Sequence, residues 1–107
     1  MNIAMLIKSP KKWRMTARKE AILNLYAPRN CLRVIREIGE PPFSLTDIIR
    51  LVCGSEPDNS QRYRLLRYSF RQTLERMVDD GLLERHVIAH RKDVRYGLSS
   101  YVHLNSY

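Results

Sequence analysis

From Ser60 to Asp80 the chain runs SQRYRLLRYSFRQTLERMVDD without a glycine or proline, and no other stretch constrains the fold as much. Laid out at about 100° per residue, Tyr63, Leu66, Phe70, Thr73, Leu74, Met77 and Val78 collect on one side, the apolar stripe of a helix seated on a core. Arg64, Arg67 and Arg71 fall together on a neighbouring flank. Gln61, Tyr68, Gln72 and Glu75 take the far side, and Leu65 points with Gln72 and Arg76, well off the stripe. Asp58, Asn59 and Ser60 are all good N-caps, and Gln61 stands three residues after Asp58 as a capping box would have it. Gly81 predicts a left-handed close. The stretch therefore reads as one bounded helix with a greasy face and an arginine face.

A chain of 107 residues holds one core and not two. Its apolar share of 44% and mean hydropathy of −0.41 predict a folded, soluble globule. Ile3 to Ile7 is apolar but too short to span a bilayer, and no basic leader with a cleavage site precedes it, so the expected location is the cytoplasm, with no membrane partner. The net charge is +8, and 14 of the 19 basic residues are arginine. An excess of that size on one small domain favours an anionic surface, usually nucleic acid. Arginine over lysine points to phosphates and base edges, because the guanidinium fork meets two acceptors at once.

The rest of the chain divides readily. Residues 1–15 carry Lys8, Lys11, Lys12 and Arg14 with no acid among them, and read as a basic arm or an unstructured leader. The six basic residues from Lys8 to Lys19 either track a phosphate backbone or keep the arm solvated. Thr16 is expected to cap a helix over 17–26, with Ile22, Leu23 and Tyr26 toward the core. Pro28 suits the first turn of a second helix reaching about Glu40, with Cys31, Leu32, Ile35 and Ile38 as its buried set and Gly39 and Pro41-Pro42 as its stop. Both Cys31 and Cys53 then read as buried thiols.

Ser44 opens the next helix with Asp47 three residues on, and Ile48, Ile49, Leu51 and Val52 follow until Gly54. The connection 54–59 contains Pro57 and exceeds a tight helix-turn-helix turn. After Gly81 the period changes to two. Leu82 to Ala89 forms one strand, with Leu83, Val87 and Ala89 on one face. HRKD (90–93) makes a charged tip, and Val94, Tyr96 and Leu98 alternate on the returning strand. The stretch Ser99 to Tyr107 reads as strand or loop, its last residues 102–107 forming a C-terminal tail.

Little marks catalysis or metal binding. Each of the four glycines is explicable as punctuation, none in a phosphate loop. Asp79 and Asp80 are adjacent, so they share no face and sit at an unfavourable helix end. His86 and His90 share a strand face but stand about 13 Å apart, too far to chelate one ion. No enzyme activity, cofactor or metal is expected.

The order helix, capped helix, long helix and basic hairpin resembles the winged helix-turn-helix family of DNA-binding domains. The resemblance runs from Pro28 to Tyr101. It rests on Leu74, Val78 and the run Asp80-Gly81-Leu82-Leu83-Glu84-Arg85, then on Arg95-Tyr96-Gly97-Leu98-Ser99. It implies an α+β, mostly helical winged domain over 16–101, with an extra N-terminal helix and a C-terminal hairpin as wing. It also implies that the helix after Ser60 enters the major groove, where Gln61, Arg64, Tyr68 and Gln72 approach bases. Arg67, Arg71, Arg91 and Lys92 would hold phosphates, with Arg95 beside the wing tip.

The function so implied is a sequence-specific regulator that binds double-stranded DNA and acts by occupying an operator. A homodimer is expected, through the helix 16–26 and the tail Tyr101 to Leu104. The alternative is a protein-interaction module using Leu65 and Tyr68. RNA binding on the same basic face has no aromatic stacking platform to support it.

Overall fold

The computed structural model describes residues 14–87 and 93–100. In chain order these form α1 (Met15–Tyr26), a 3-10 turn (Pro28–Asn30), α2 (Cys31–Ile38), β1 (Phe43–Ser44), α3 (Leu45–Cys53), α4 (Gln61–Asp79), β2 (Leu83–Val87) and β3 (Val94–Leu98). The described residues form an α+β fold, four helices against a three-stranded antiparallel sheet of order β1-β3-β2. No described helix is long and apolar enough to cross a membrane.

Helix α4 is the spine. Tyr63, Leu66, Phe70, Thr73, Leu74 and Met77 are all buried, and Val78 packs half-buried beside them, so the whole expected stripe meets the core. Ser60, rather than Asp58, is the N-cap: its hydroxyl accepts from the Tyr63 N–H at 3.1 Å. Gln61 is thus the first helical residue, and the expected box with Asp58 does not form. The Asp58 carboxylate instead accepts from the Ser60 N–H at 2.8 Å, and hydrogen bonding from the Ser60 side chain first and from this backbone N–H second holds its pKa below the ordinary carboxylate value. At the far end Gly81 takes φ 80°, its N–H donating to the Val78 carbonyl while the Leu82 N–H donates to Met77. This pair of bonds satisfies the last carbonyls of the helix, and only glycine enters that conformation without cost. Asp80, unfavourable at a helix C-terminus, is offset by Lys19 at 3.3 Å and Arg76 at 3.6 Å.

Helix α3 begins as expected, the Ser44 hydroxyl accepting from the Asp47 N–H at 3.1 Å, and ends at Gly54 with φ 66°. Ile48, Ile49 and Val52 are buried; Leu51 is half-buried. Helix α1 starts earlier than expected. The Arg18 N–H already donates to the Arg14 carbonyl, so Thr16 lies inside the first turn and caps nothing. Arg18 itself is buried, its Nε donating to the Thr73 hydroxyl at 2.7 Å. Lys19 is paired with Asp80, so neither residue belongs to a free basic arm.

Helix α2 departs most from its expected form. Pro28 opens a 3-10 turn, the α-helix proper starts at Cys31, and it stops at Ile38 rather than Glu40. Val34 is its buried residue; Ile35 and Ile38 are half-buried, Ile38 against the core, whereas Cys31 is exposed and Leu32 is 77% exposed. The helix is rotated so that a flank of its apolar arc, not the centre, meets α1 and α3. Of the two thiols, only Cys53 is buried.

The strand β1 was not anticipated. It is two residues long and pairs Phe43 with Tyr96 and Ser44 with Arg95. Phe43 is buried, its ring 5.0 Å from that of Tyr26, and the Tyr26 hydroxyl donates to the Tyr96 carbonyl at 2.6 Å. In β2, Leu83 is buried but Val87 is 65% exposed, because the strand runs off the core toward its tip. The tip itself, with Arg91 and Lys92, lies outside the described residues, as do the stretch 1–13 and the proposed dimer segment Tyr101 to Leu104.

Candidate nucleic-acid interface

The outermost line of α4 carries Gln61, Arg64, Tyr68 and Gln72, all exposed, with Arg71 exposed and Arg67 half-buried on the adjoining flank. These are polar residues directly opposite a buried stripe, so the same packing that seats α4 presents them to solvent. Tyr68 is 63% exposed, and its hydroxyl accepts from Gln72 Nε2 at 2.9 Å, one helical turn away.

The arginine flank borders a cleft of about 410 Å³. Its walls are the first turn of α3, with Ser44 and Thr46, the Arg67 and Arg71 side of α4, and the hairpin, with Arg85, Val94 and Tyr96. Arg67 reaches across it, donating from Nη1 to the Thr46 hydroxyl at 3.1 Å. Sequence inspection had no means to select Thr46, although its place two residues past the Ser44 cap marks the positive end of a helix.

Four of the carboxylates near this face, Glu75, Asp47, Glu56 and Asp93, are engaged. Glu75 stands four residues after Arg71 on α4 but does not pair with it. Its two carboxylate oxygens accept from Nε and Nη2 of Arg85 on β2, and Oε2 also accepts from the Tyr96 hydroxyl on β3 at 2.6 Å. Asp47 and Glu56 both pair with Arg50, and Asp93 pairs with Arg95 at 2.9 Å. Among the described residues, Arg64, Arg67 and Arg71 consequently have no carboxylate partner. Three guanidinium groups on one surface with no internal counter-charge create a positive field, and the first turn of α3 adds its dipole to it.

Of the expected site residues, six therefore share one face: Gln61, Arg64, Arg67, Tyr68, Arg71 and Gln72. Arg95 is separate. It alternates with Tyr96 along β3, so it lies on the sheet face away from α4, half-buried and tied to Asp93. Leu65 is partly buried. A larger concavity of about 650 Å³ lies between α2, the Pro41-Pro42 turn and the outer face of the sheet, and no residue of α4 lines it.

Set against protein-family models, curated proteins and solved structures, this chain matches none.

Proposed function

We propose that this chain is a winged helix-turn-helix protein that binds double-stranded DNA in a sequence-specific manner and regulates transcription by occupying an operator. The observation that carries the reading is the uncompensated flank Arg64, Arg67 and Arg71, set beside a polar line of base-reading residue types on an exposed helix. The order α3, α4, hairpin supports it, as does the cleft that the arginine flank of α4 shares with Arg85, Val94 and Tyr96 of the hairpin. A helix about 10 to 12 Å across suits a major groove about 12 Å wide. Gln61, Arg64, Tyr68 and Gln72 then approach base edges, while Arg67 and Arg71, with the first turn of α3, hold the flanking backbone.

The test is fluorescence anisotropy of the full chain on a labelled duplex, titrated with salt. Six to ten phosphate contacts give a fall in affinity of about three to five decades between roughly 50 and 200 mM salt. Replacing Arg64, Arg67 and Arg71 with alanine should flatten the logarithmic salt slope by about two to three. No binding at low salt, or unchanged binding by the triple variant, overturns the proposal. The exposure of Tyr68 favours one second reading, a protein-interaction surface, whose affinity for its partner would respond weakly to salt.

A further inference from the structure

We infer that two copies of this chain associate about a two-fold axis beside α2, the Leu32 side chain of each seated in the apolar groove of the other. The inference goes beyond the DNA-binding reading and stands without it. Among the described residues Leu32 is the most exposed large apolar side chain, at 77%. Cys31, just before it, and Ile35, three residues on, line the concavity of about 650 Å³ under the outer face of the sheet, so Leu32 stands at its lip. One edge of the apolar arc of α2 thus meets the core through Val34, its centre walls the groove, and its other edge faces water. The chain carries a net charge of +8, yet no lysine or arginine is among the described residues that line this groove. It does not suit a polyanion.

A small molecule would fill the groove and leave Leu32 in water. A second copy covers both at once, because a two-fold contact is isologous and each subunit supplies the knob and the hole. With the axis running along α2, between Leu32 and the groove, rotation places each leucine over the other copy's groove. It also carries the far wall of the groove, where Glu84 and His86 stand on β2, over the outer side of α2. Arg36 is on that side, one turn after Leu32, exposed and without a carboxylate partner among the described residues. Glu84 meets the Ser100 N–H and hydroxyl through Oε1, at 3.0 and 3.3 Å, while Oε2 stands 3.8 Å from His86 Nε2. The contact is therefore complementary in charge as well as in shape. Helix α1, the pairing element expected from the sequence, buries Ala21, Ile22 and Leu25 in its own core and has no large exposed apolar residue.

The experiment is sedimentation equilibrium of the full chain, in reductant and without DNA. Over about 1 to 500 μM the mass should rise from 12.7 kDa toward twice that value. One leucine and one groove per copy make a small contact of the transient class, so at the dilution of an unfolding or labelling assay the monomer prevails, with Leu32 and Cys31 in water. Leu32→Asp, which would bury a carboxylate in an apolar groove, should weaken association by about 30-fold or more. Arg36→Glu and Glu84→Arg should each weaken it about five- to tenfold by setting like charges opposite one another. Mixing these two variants should restore association, since each charge contact of the mixed dimer again joins opposite signs. A damaged fold would give no such recovery.

A mass that stays at 12.7 kDa throughout overturns the inference. So does a dimer that Leu32→Asp leaves intact, or one that the charge variants do not weaken alone and restore when mixed. In each case the DNA reading stands, because anisotropy on a duplex tests it separately. If the dimer behaves as described and no duplex is bound at low salt, the DNA reading falls alone.

Discussion

Glu75 joins three elements at one carboxylate, and its removal separates two kinds of energy. Its ion pair with Arg85 is about two-fifths exposed on both sides, so solvent screens it and its worth is about 0 to 1 kcal/mol. The bond from Tyr96 is different. Tyr96 is 3% exposed, and Glu75→Ala leaves its hydroxyl without that acceptor, at a cost of about 1 to 3 kcal/mol. Together these predict a loss of about 1 to 4 kcal/mol for Glu75→Ala. Tyr96→Phe should cost about 1 kcal/mol, because the carboxylate keeps Arg85 and water. In the double variant no hydroxyl is orphaned, so its cost should fall below the sum of the singles by about 1 to 2 kcal/mol. Urea unfolding of the four proteins, read as midpoint shifts at constant m, measures this coupling. Additivity to within about 0.5 kcal/mol would refute the reasoning, since groups that do not touch add.

Leu74 is fully buried in the middle of α4, and Leu74→Ala should cost about 2 to 5 kcal/mol, whereas Leu32→Ala, at a site 77% exposed, should stay within about 0.5 kcal/mol by the same unfolding assay. A thiol reagent at pH 8 should modify one cysteine in the native protein and two in denaturant. Cys31 is exposed, while burial pushes the Cys53 thiol up to about 12. Two equivalents reacting quickly in the native state would contradict the burial of Cys53. Burial also raises the Tyr26 phenol above its ordinary 10.0, so both groups bind their protons more tightly folded than unfolded. Their stabilisation is complete below pH 9.0 and is lost above it, through Cys53 up to about 12 and through Tyr26 from 10.0 upward. Each should contribute a slope of about −1.4 kcal/mol per pH unit within its window, measurable as a falling urea midpoint, and a flat profile from pH 9 to 11 would contradict it.

The elements that were legible in the chain are those written in short-range signals. Helix α4 is bounded by a serine whose hydroxyl meets an N–H three residues on and by a glycine one step past its end, and its stripe repeats within each turn. The face of Gln61, Arg64, Tyr68 and Gln72 followed from that stripe alone, because whatever lies opposite a buried side chain on an isolated helix must be outside. Helix α3 was read by the same cap and the same kind of glycine.

Helix α2 was misread for a physical reason. Its apolar arc is broad, and periodicity gives the direction of that arc but not which part of it the neighbours cover; contact with α1 and α3 chose Val34 over Cys31 and Leu32. Arg18 was read as part of a basic arm because nothing local shows that Thr73 waits for it. β1 is too short to carry a period and exists as a strand because β3 supplies its partner.

The candidate face divides along the same line. Its residue types, its charge and its helical alignment were determined by the sequence, since each depends on neighbours within a turn or two. That Arg67 meets Thr46, that Glu75 binds Arg85 and Tyr96 rather than Arg71, and that the arginine flank is therefore left without a counter-charge were decided only by the tertiary structure. Those partners are far apart along the chain, and a pattern of residues holds no record of which distant group will arrive when the core closes.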